Sequence, residues 1–523
     1  MEILPDEAYY WMYSNHMDWG YLDHPPMVAL WIAATKWIPG ELGVRLFMIG
    51  SNLIFIRLLE DLVRPKDLKL FYLILGSMVF IHFGFLAVPD VPLVVFSVVF
   101  LIAFRRYLNN GSFLNVLFVS VSIALMLYSK YQGLILVLLA VVSQFNLLRK
   151  RSFYLVLLFS ILLFLPHLIW QYVNDWPSHY FHLHERSPEE YSIQNTIFYP
   201  FEQILAFGPV IGIFLLVAGW KFKPQSAFEK TLKFVVFGMF LFLLIMTFKG
   251  PVELNWSVIS IAALVYISYH GLQNTKRLRS VTKVFCWVSV IVLLSARIIL
   301  ITGLLPETDL FKRARSGEIW ANAVCEAAGN KTVVFQNSYQ QASLYAFYSG
   351  NNAHSVNNPS KRMNQYDLWD LPEDDVKAGL MDYSDWSLPR MNSFENPNGG
   401  AFYLRPNSQF VNLSQVQFKP ESWVNVAAPG EKLNMDLHLD KESRCGLAEL
   451  KDKPEFILYL NRHKELVWKK KIEVDIKKVI STGSVPIIVE LPDRKGKYSL
   501  RISLKQRMQF AWYNSKRIYV KVD

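Results

Sequence analysis

LFYLILGSMVFIHFGFLAVPDVPLVVFSVVFLIAF, residues 70–104, carries a single charged side chain, Asp90. Residues 107–148 repeat the pattern with Lys130 as the only charge. A core strand has no use for apolar runs of this length. A membrane does, because roughly 20 apolar residues in a helix span its hydrocarbon layer and satisfy every backbone group internally. The first 302 residues divide into ten such segments, at about 43–63, 69–88, 91–108, 113–130, 132–148, 152–171, 201–220, 231–248, 256–272 and 282–302. The chain is therefore read as mostly α, a polytopic membrane domain of about ten spans.

Composition agrees, with 52% hydrophobic and only 19% charged residues, against roughly 25% charged in soluble domains. The net charge of +11 does not point to nucleic acid, because the basic residues lie in short connectors. Arg64 to Lys69, Arg105-Arg106, Arg149 to Arg151, Lys221 to Lys230 and Lys276 to Lys283 all fall on one face, which the positive-inside rule makes cytoplasmic. The other face receives residues 1–42, the turns at Asp90 and Lys130, the 172–200 loop, the 249–255 turn and everything after 303. Met1 is then outside the cytoplasm, so a first transmembrane helix is expected upstream that this chain does not show.

From Pro306 the pattern turns polar. TVVFQ and SYQQASLYAFYSG suggest a strand and a helix. After about 400, short alternating runs such as FILYLN, VPIIVEL and YSLRISL suggest a small antiparallel sheet or sandwich. Three regions are expected: 1–305, a membrane domain with juxtamembrane helices in 5–40; 306–400, α/β; and 401–523, β-rich. The last two would be extracytoplasmic. Cys325 and Cys445 share the outer part, either paired or free.

The charges of the outer face are the candidates for chemistry. PDEAYYWMYSNHMDWGYLDHPPM (residues 5–27) mixes acids with Tyr and Trp; as a helix it lines up Asp6, Tyr9 or Tyr10, and Tyr13. Trp11, Tyr13, Met17 and Trp19 suit a helix in the headgroup layer, and Pro25-Pro26 set a turn after Asp23 and His24. Each acid taken alone also reads as a solvated loop residue. Asp90, between Pro89 and Pro92, is costlier to place and marks a site unless it merely faces water at a helix end. Lys130, beside Tyr131, and Arg45 either snorkel to the interface or hold an anionic head group. His179, His182 and His184 with Glu185 and Arg186 offer polar contacts to a sugar or phosphate more readily than a metal site, since no Cys or well-spaced acid completes one. Lys249 and Glu253 repeat the theme. No Walker loop, G-x-G-x-x-G unit or G-x-S-x-G elbow occurs, which argues against a nucleotide site and a serine hydrolase site.

The ordered set DEAYYW, DHPPM, ELGVRL, VPDVPL, YSKYQGL, PHLIWQYVNDWPSHYFHLHER and KGPVELNW, with YQQASLYAFYSG…RMNQYDLW at 339–369, resembles the dolichyl-phosphate-mannose/aminoarabinose transferases. These are integral-membrane glycosyltransferases of the GT-C class, family 83. The resemblance covers roughly residues 5–370; the β-rich tail lies beyond it. It implies transfer of a sugar from a polyprenyl-phosphate donor to a lipid, glycan or protein acceptor on the extracytoplasmic face of the inner (plasma) membrane, by a single inverting displacement. It also implies Asp6 as general base and Asp23 and Asp90 as catalytic acids that orient substrate. Substrate contacts are expected from Glu7, Tyr9, His24, Arg45, Lys130, Tyr131, His184, Arg186 and Glu253. No cofactor is certain, and a divalent cation is an option. The first family helix is not seen, and His24 stands where some members carry lysine. A lipid-linked-sugar flippase, or a relative that binds without catalysis, is the alternative; a flippase would place its charges near mid-bilayer rather than at one face.

Overall fold

The computed structural model describes residues 1–185, 191–273, 275–302, 317–329, 331–359, 361–369, 378–381, 393–395, 401–406, 413, 415–421, 424–450, 452–462, 465–505 and 512–523, with backbone only at 184–185, 378–381, 393–395 and 401–406. Two compact units emerge: residues 1–182 with 191–314, and 183–190 with 315–523.

The first unit is helical. It opens with α1 (Pro5–Asn15) and α2 (Met27–Ala33). Then follow α3 (Gly40–Val63), α4 (Leu68–Gly76), α5 (Val79–Phe83), α6 (Asp90–Asn109), α7 (Phe113–Ser129), α8 (Gly133–Ser143) and α9 (Arg151–Val173). After α10 (Pro177–Tyr180) come α11 (Ile193–Phe207), α12 (Ile211–Lys221), α13 (Ala227–Met246), α14 (Ile261–Gln273) and α15 (Lys276–Thr302).

All ten expected segments are helical in their main part, but several are not continuous spans. Among the described residues, α3, α6, α9 and α15 are each long and apolar enough to cross a membrane. Helices α11 and α12 together would make a fifth, bent by 93°. The bend is sterically prepared: a Cβ at Gly212 would fall 2.1 Å from the Ile204 carbonyl oxygen, so only glycine allows the two helices to approach there. The 69–88 segment breaks between α4 and α5 at Ser77-Met78. Likewise the 256–272 segment begins as a 3-10 turn, Leu254–Ser260. Lipid-facing exposure agrees with a membrane setting: Leu157, Leu158, Leu162 and Ile169 on α9 and Trp287, Ile291 and Ile298 on α15 are all exposed.

The second unit holds three sheets. In the first, β1 (Val333–Gln336) runs parallel to β2 (Ala353–Val356) and β3 (Ala378–Met381), and β4 (Ser393–Glu395) and β5 (Ala401–Pro406) complete the order β2-β1-β3-β5-β4. Ala401–Pro406, expected with the β-rich tail, thus belongs to the α/β sheet. The remaining strands are β6 (Phe418–Pro420), β7 (Val426–Ala427), β8 (Lys432–Leu439), β9 (Glu455–Arg462), β10 (Glu465–Ile472), β11 (Ser484–Glu490), β12 (Gly496–Lys505) and β13 (Ile518–Val522). They form sheets ordered β10-β9-β12-β13-β7 and β11-β8-β6. Strict alternation in β8 and β11 sends Leu433, Leu437, Val485 and Val489 into a common core with Leu458, Leu460, Leu500 and Ile502, the arrangement expected of a sandwich. Cys286, Cys325 and Cys445 are free thiols.

Candidate active site

Two adjacent acids at the start of α1 have opposite surroundings. Pro5 begins the helix, and Asp6 and Glu7 occupy its first turn, where carboxylates complement the unsatisfied N–H groups. Asp6 is exposed. Glu7 is fully buried and its carboxylate accepts from Arg45 Nε at 2.8 Å and Nη2 at 2.5 Å, from the Ala87 N–H at 2.9 Å and from the Leu4 N–H at 3.0 Å. The Arg45 guanidinium also donates to the carbonyls of Met1 and Glu2. This pair fastens α1, α3 and the turn before α6 together. Glu7 and Arg45, both expected as substrate contacts, are paired with each other here.

Three residues beyond Ala87, Asp90 opens α6 behind Pro89. Both its oxygens receive the Lys130 ammonium, at 2.9 and 3.0 Å, and Asn255 Nδ2 donates to Oδ2 at 2.9 Å. The Asp90 and Lys130 side chains are only 13% and 9% exposed. Lys130 is neither snorkelling nor an isolated cation. Glu253 itself is exposed at the cap of the 3-10 turn; Asn255, two residues on, is the member of KGPVELNW that reaches the cluster.

A third group surrounds Asp23. The Tyr13 hydroxyl donates to Asp23 Oδ1, and the Tyr13 ring stacks on Tyr21 at 4.0 Å between centroids, with Tyr9 edge-on at 4.7 Å. Burial and the negative charge of Asp23 push the Tyr13 phenol well above its ordinary range, so it remains a proton donor. Tyr13 is thus a core residue rather than the lipid-surface ring expected of it; Met17 and Trp19 are the exposed ones. His24 is buried and edge-on to Tyr10 at 5.7 Å.

Tyr131, next in the chain to Lys130, belongs to this group. His167 Nδ1 lies 2.7 Å from the Trp19 carbonyl and so carries the proton, which leaves Nε2 to accept from the Tyr131 hydroxyl at 2.9 Å. Gln171 Nε2 donates to Tyr131 Oη at 3.1 Å and to Ser178 Oγ at 2.6 Å; Ser178 Oγ donates in turn to the Tyr21 carbonyl at 2.8 Å. His182 Nε2 reaches the Asp23 carbonyl at 3.0 Å. Close packing seals the joint, since a Cβ on Gly20 would fall 2.5 Å from the Trp170 ring and 2.8 Å from the His167 ring.

Asp90 with Lys130, and Asp23 with Tyr131, form two polar clusters carried by the adjacent residues Lys130 and Tyr131, at the end of the helical unit opposite the basic connectors. Asp6 lies on the same helix as Tyr13, seven residues or about two turns away. Arg186 lies outside the described residues, as does the side chain of His184. His167, Gln171 and Asn255 were not singled out by the sequence; an intramembrane histidine within PHLIW is the signal that could have found the first. Among the described residues no three His, Cys, Asp or Glu come together as a metal site, and the Asp90 carboxylate is already matched by an ammonium.

Residues 23–170 match the family model of dolichyl-phosphate-mannose-protein mannosyltransferases, a range that contains Asp23, Asp90, Lys130, Tyr131 and His167. No curated protein matches the chain in sequence. In fold, the chain is similar to the crystal structure of ArnT from Cupriavidus metallidurans in the apo state, with a TM-score of 0.53 at 14% identity over 73% of this chain and 89% of that one. The same protein bound to undecaprenyl phosphate gives a TM-score of 0.53 at 15% identity, over 77% and 94%. The chain thus shares the fold of ArnT, and residues 23–170 are similar to the dolichyl-phosphate-mannose-protein mannosyltransferase family model.

Proposed function

We propose that this protein is a membrane glycosyltransferase that moves a sugar from a polyprenyl-phosphate donor to an acceptor hydroxyl on the extracytoplasmic face. The observation that carries this reading is the pair of polar clusters around Asp90–Lys130 and around Asp23 and Tyr131 at the mouths of the helices, within the residues matched by the mannosyltransferase model. Charges gathered at one end suit a lipid whose head reacts at the interface while its tail stays in the bilayer; a flippase would need them along a path across it.

In the reaction, an acceptor oxygen attacks the anomeric carbon from the face opposite the phosphate. The new C–O bond forms as the bond to the phosphate oxygen breaks with its electron pair, inverting the centre. Asp6, exposed at the start of α1, takes the acceptor proton as general base. Asp23, held by Tyr13, orients sugar or acceptor. Lys130 faces the departing phosphate, with His24 and Arg186 as further contacts, and stabilises the charge that grows there. No step is routed through a metal ion. The outer placement of the 306–523 region is part of the same proposal.

The test is transfer of radiolabelled sugar from polyprenyl-phosphate donors to candidate lipid, glycan and protein acceptors by purified protein, repeated with Asp6→Asn. Transfer by the parent and its loss in the variant are expected. Undiminished transfer would remove Asp6 from the base role, and lipid flipping without transfer would replace the enzyme with a transporter.

A further inference from the structure

Many buried polar side chains of the helical unit are matched close at hand. Ser51, Ser77, Ser97 and Ser122 turn their hydroxyls onto a carbonyl one turn earlier, and the Gln171 amide serves Tyr131 and Ser178. Two residues near Asp90 break this pattern. Gln203 lies on the buried stripe of α11 with Tyr199, Ala206 and Phe207 and is fully enclosed. Among the described residues, neither its amide nitrogen nor its amide oxygen has a hydrogen-bond partner. Ser257, also fully buried, lies in the 3-10 turn Leu254–Ser260 and its hydroxyl is likewise unmatched. Ser260 in the same turn does bond back, to the Ser257 carbonyl at 2.7 Å. Helix α11 packs against this turn, and Asn255, two residues before Ser257, is the donor to Asp90. A polar group sealed from water without a partner is destabilising, and in a membrane domain it ordinarily marks a functional site.

We propose that Gln203 and Ser257 bind the sugar of the lipid-linked donor, their unmatched groups being taken up by its hydroxyls. The inference rests on the glycosyl-transfer reading and adds to it where the sugar sits: between α11 and the 254–260 turn, on the Asn255 side of Asp90. Hydrogen-bond chemistry selects this ligand. Gln203 Oε1 needs a donor and Nε2 an acceptor; a hydroxyl supplies both, whereas an ionised phosphate only accepts. Entry of the sugar has to part α11 from the turn. The 93° bend between α11 and α12, where Gly212 lets the two helices approach, is the pivot for that movement.

The test compares the full chain with Gln203→Met and Ser257→Ala, by thermal unfolding in detergent and by transfer from radiolabelled polyprenyl-phosphate sugars. Gln203→Met keeps the side-chain length and removes the unmatched amide, so the unfolding midpoint should rise by about 2–4 °C. In the same variant kcat/KM for the donor should fall about ten-fold, the scale of one lost hydrogen bond. Ser257→Ala should show both changes at smaller size. Leu205→Met, on the exposed side of α11, should show neither. A purely structural amide would lower the midpoint when removed. That result, or transfer by Gln203→Met equal to the parent's, would overturn the proposal. Absence of transfer in the parent would fall instead on the glycosyl-transfer reading, and would take this inference with it.

Discussion

Substituting Asp6 and Glu7 one at a time should separate chemistry from architecture within two adjacent residues. Glu7→Gln keeps the shape but turns an acceptor-only group into one whose NH2 faces donors. Four accepted hydrogen bonds are disturbed, and the Arg45 side chain, 8% exposed, loses its counter-charge. Removing one member of a buried pair costs about 3–5 kcal/mol. Replacing both, as in Glu7→Gln with Arg45→Met, should cost less than the sum of the single changes, because no uncompensated charge remains. Asp6→Asn disturbs an exposed first-turn carboxylate, worth about 0.3–1 kcal/mol against the helix dipole. Equilibrium unfolding in detergent, followed by tryptophan fluorescence, measures the first quantity, and sugar transfer from the lipid donor measures the second. Glu7→Gln should be strongly destabilised, whereas Asp6→Asn should be nearly as stable as the parent and inactive. A loss below about 1 kcal/mol for Glu7→Gln, the scale of one ordinary hydrogen bond, would refute the structural assignment. An active Asp6→Asn would refute the chemical one.

Lys130→Met should lower the turnover number about 10²–10³-fold, the usual loss when one group aimed at developing charge is removed; an unchanged single-turnover rate would exclude Lys130 from the phosphate. Tyr13→Phe strips the donor from Asp23 and should cost about 1–3 kcal/mol, read by unfolding alongside a fall in transfer. The Tyr13 phenol titrates above its unfolded value of 10.0, so its stabilising effect is complete below about pH 10. Above that pH the unfolded chain ionises first and stability declines; this alkaline loss should be smaller in Tyr13→Phe, as followed by phenolate absorbance during unfolding. In the second unit, Arg501 is buried and donates to the carbonyls of Pro359 and Lys361. Arg501→Met should therefore destabilise that unit by about 1–3 kcal/mol, visible as increased amide exchange at Asn358 and Lys361.

The membrane class and the gathering of charge at one face were legible because hydropathy and the distribution of Lys and Arg act locally along the chain. The pairings were not. Glu7 and Arg45 are 38 residues apart and Asp90 and Asn255 are 165 apart, so no periodicity links them, and an acid looks the same whether it is sealed by an arginine or open to substrate. Tyr13 was misplaced for a related reason: amphipathic rings suit both a lipid surface and a packed core, and only Tyr21 and Asp23, brought back by the loop after α1, decide between them. Continuous spans were expected where the backbone bends, since hydropathy reports how apolar a segment is and not its direction. Small residues such as Gly212 mark the bend only once its neighbour, Ile204, is known.

The bidentate contact between Lys130 and Asp90 has a kinetic corollary. A polyprenyl-phosphate sugar is a diester with one negative charge and competes on equal terms with the single charge of Asp90 for the ammonium. As the glycosidic bond breaks, the leaving phosphate becomes a monoester approaching two charges, and the balance tips toward it. On the proposed reaction, Lys130 would change hands during bond cleavage rather than on binding, so its attraction is expressed mainly in the transition state. The same exchange would make the released lipid phosphate a tighter ligand than the donor, and its departure, which returns Lys130 to Asp90, a natural brake on turnover.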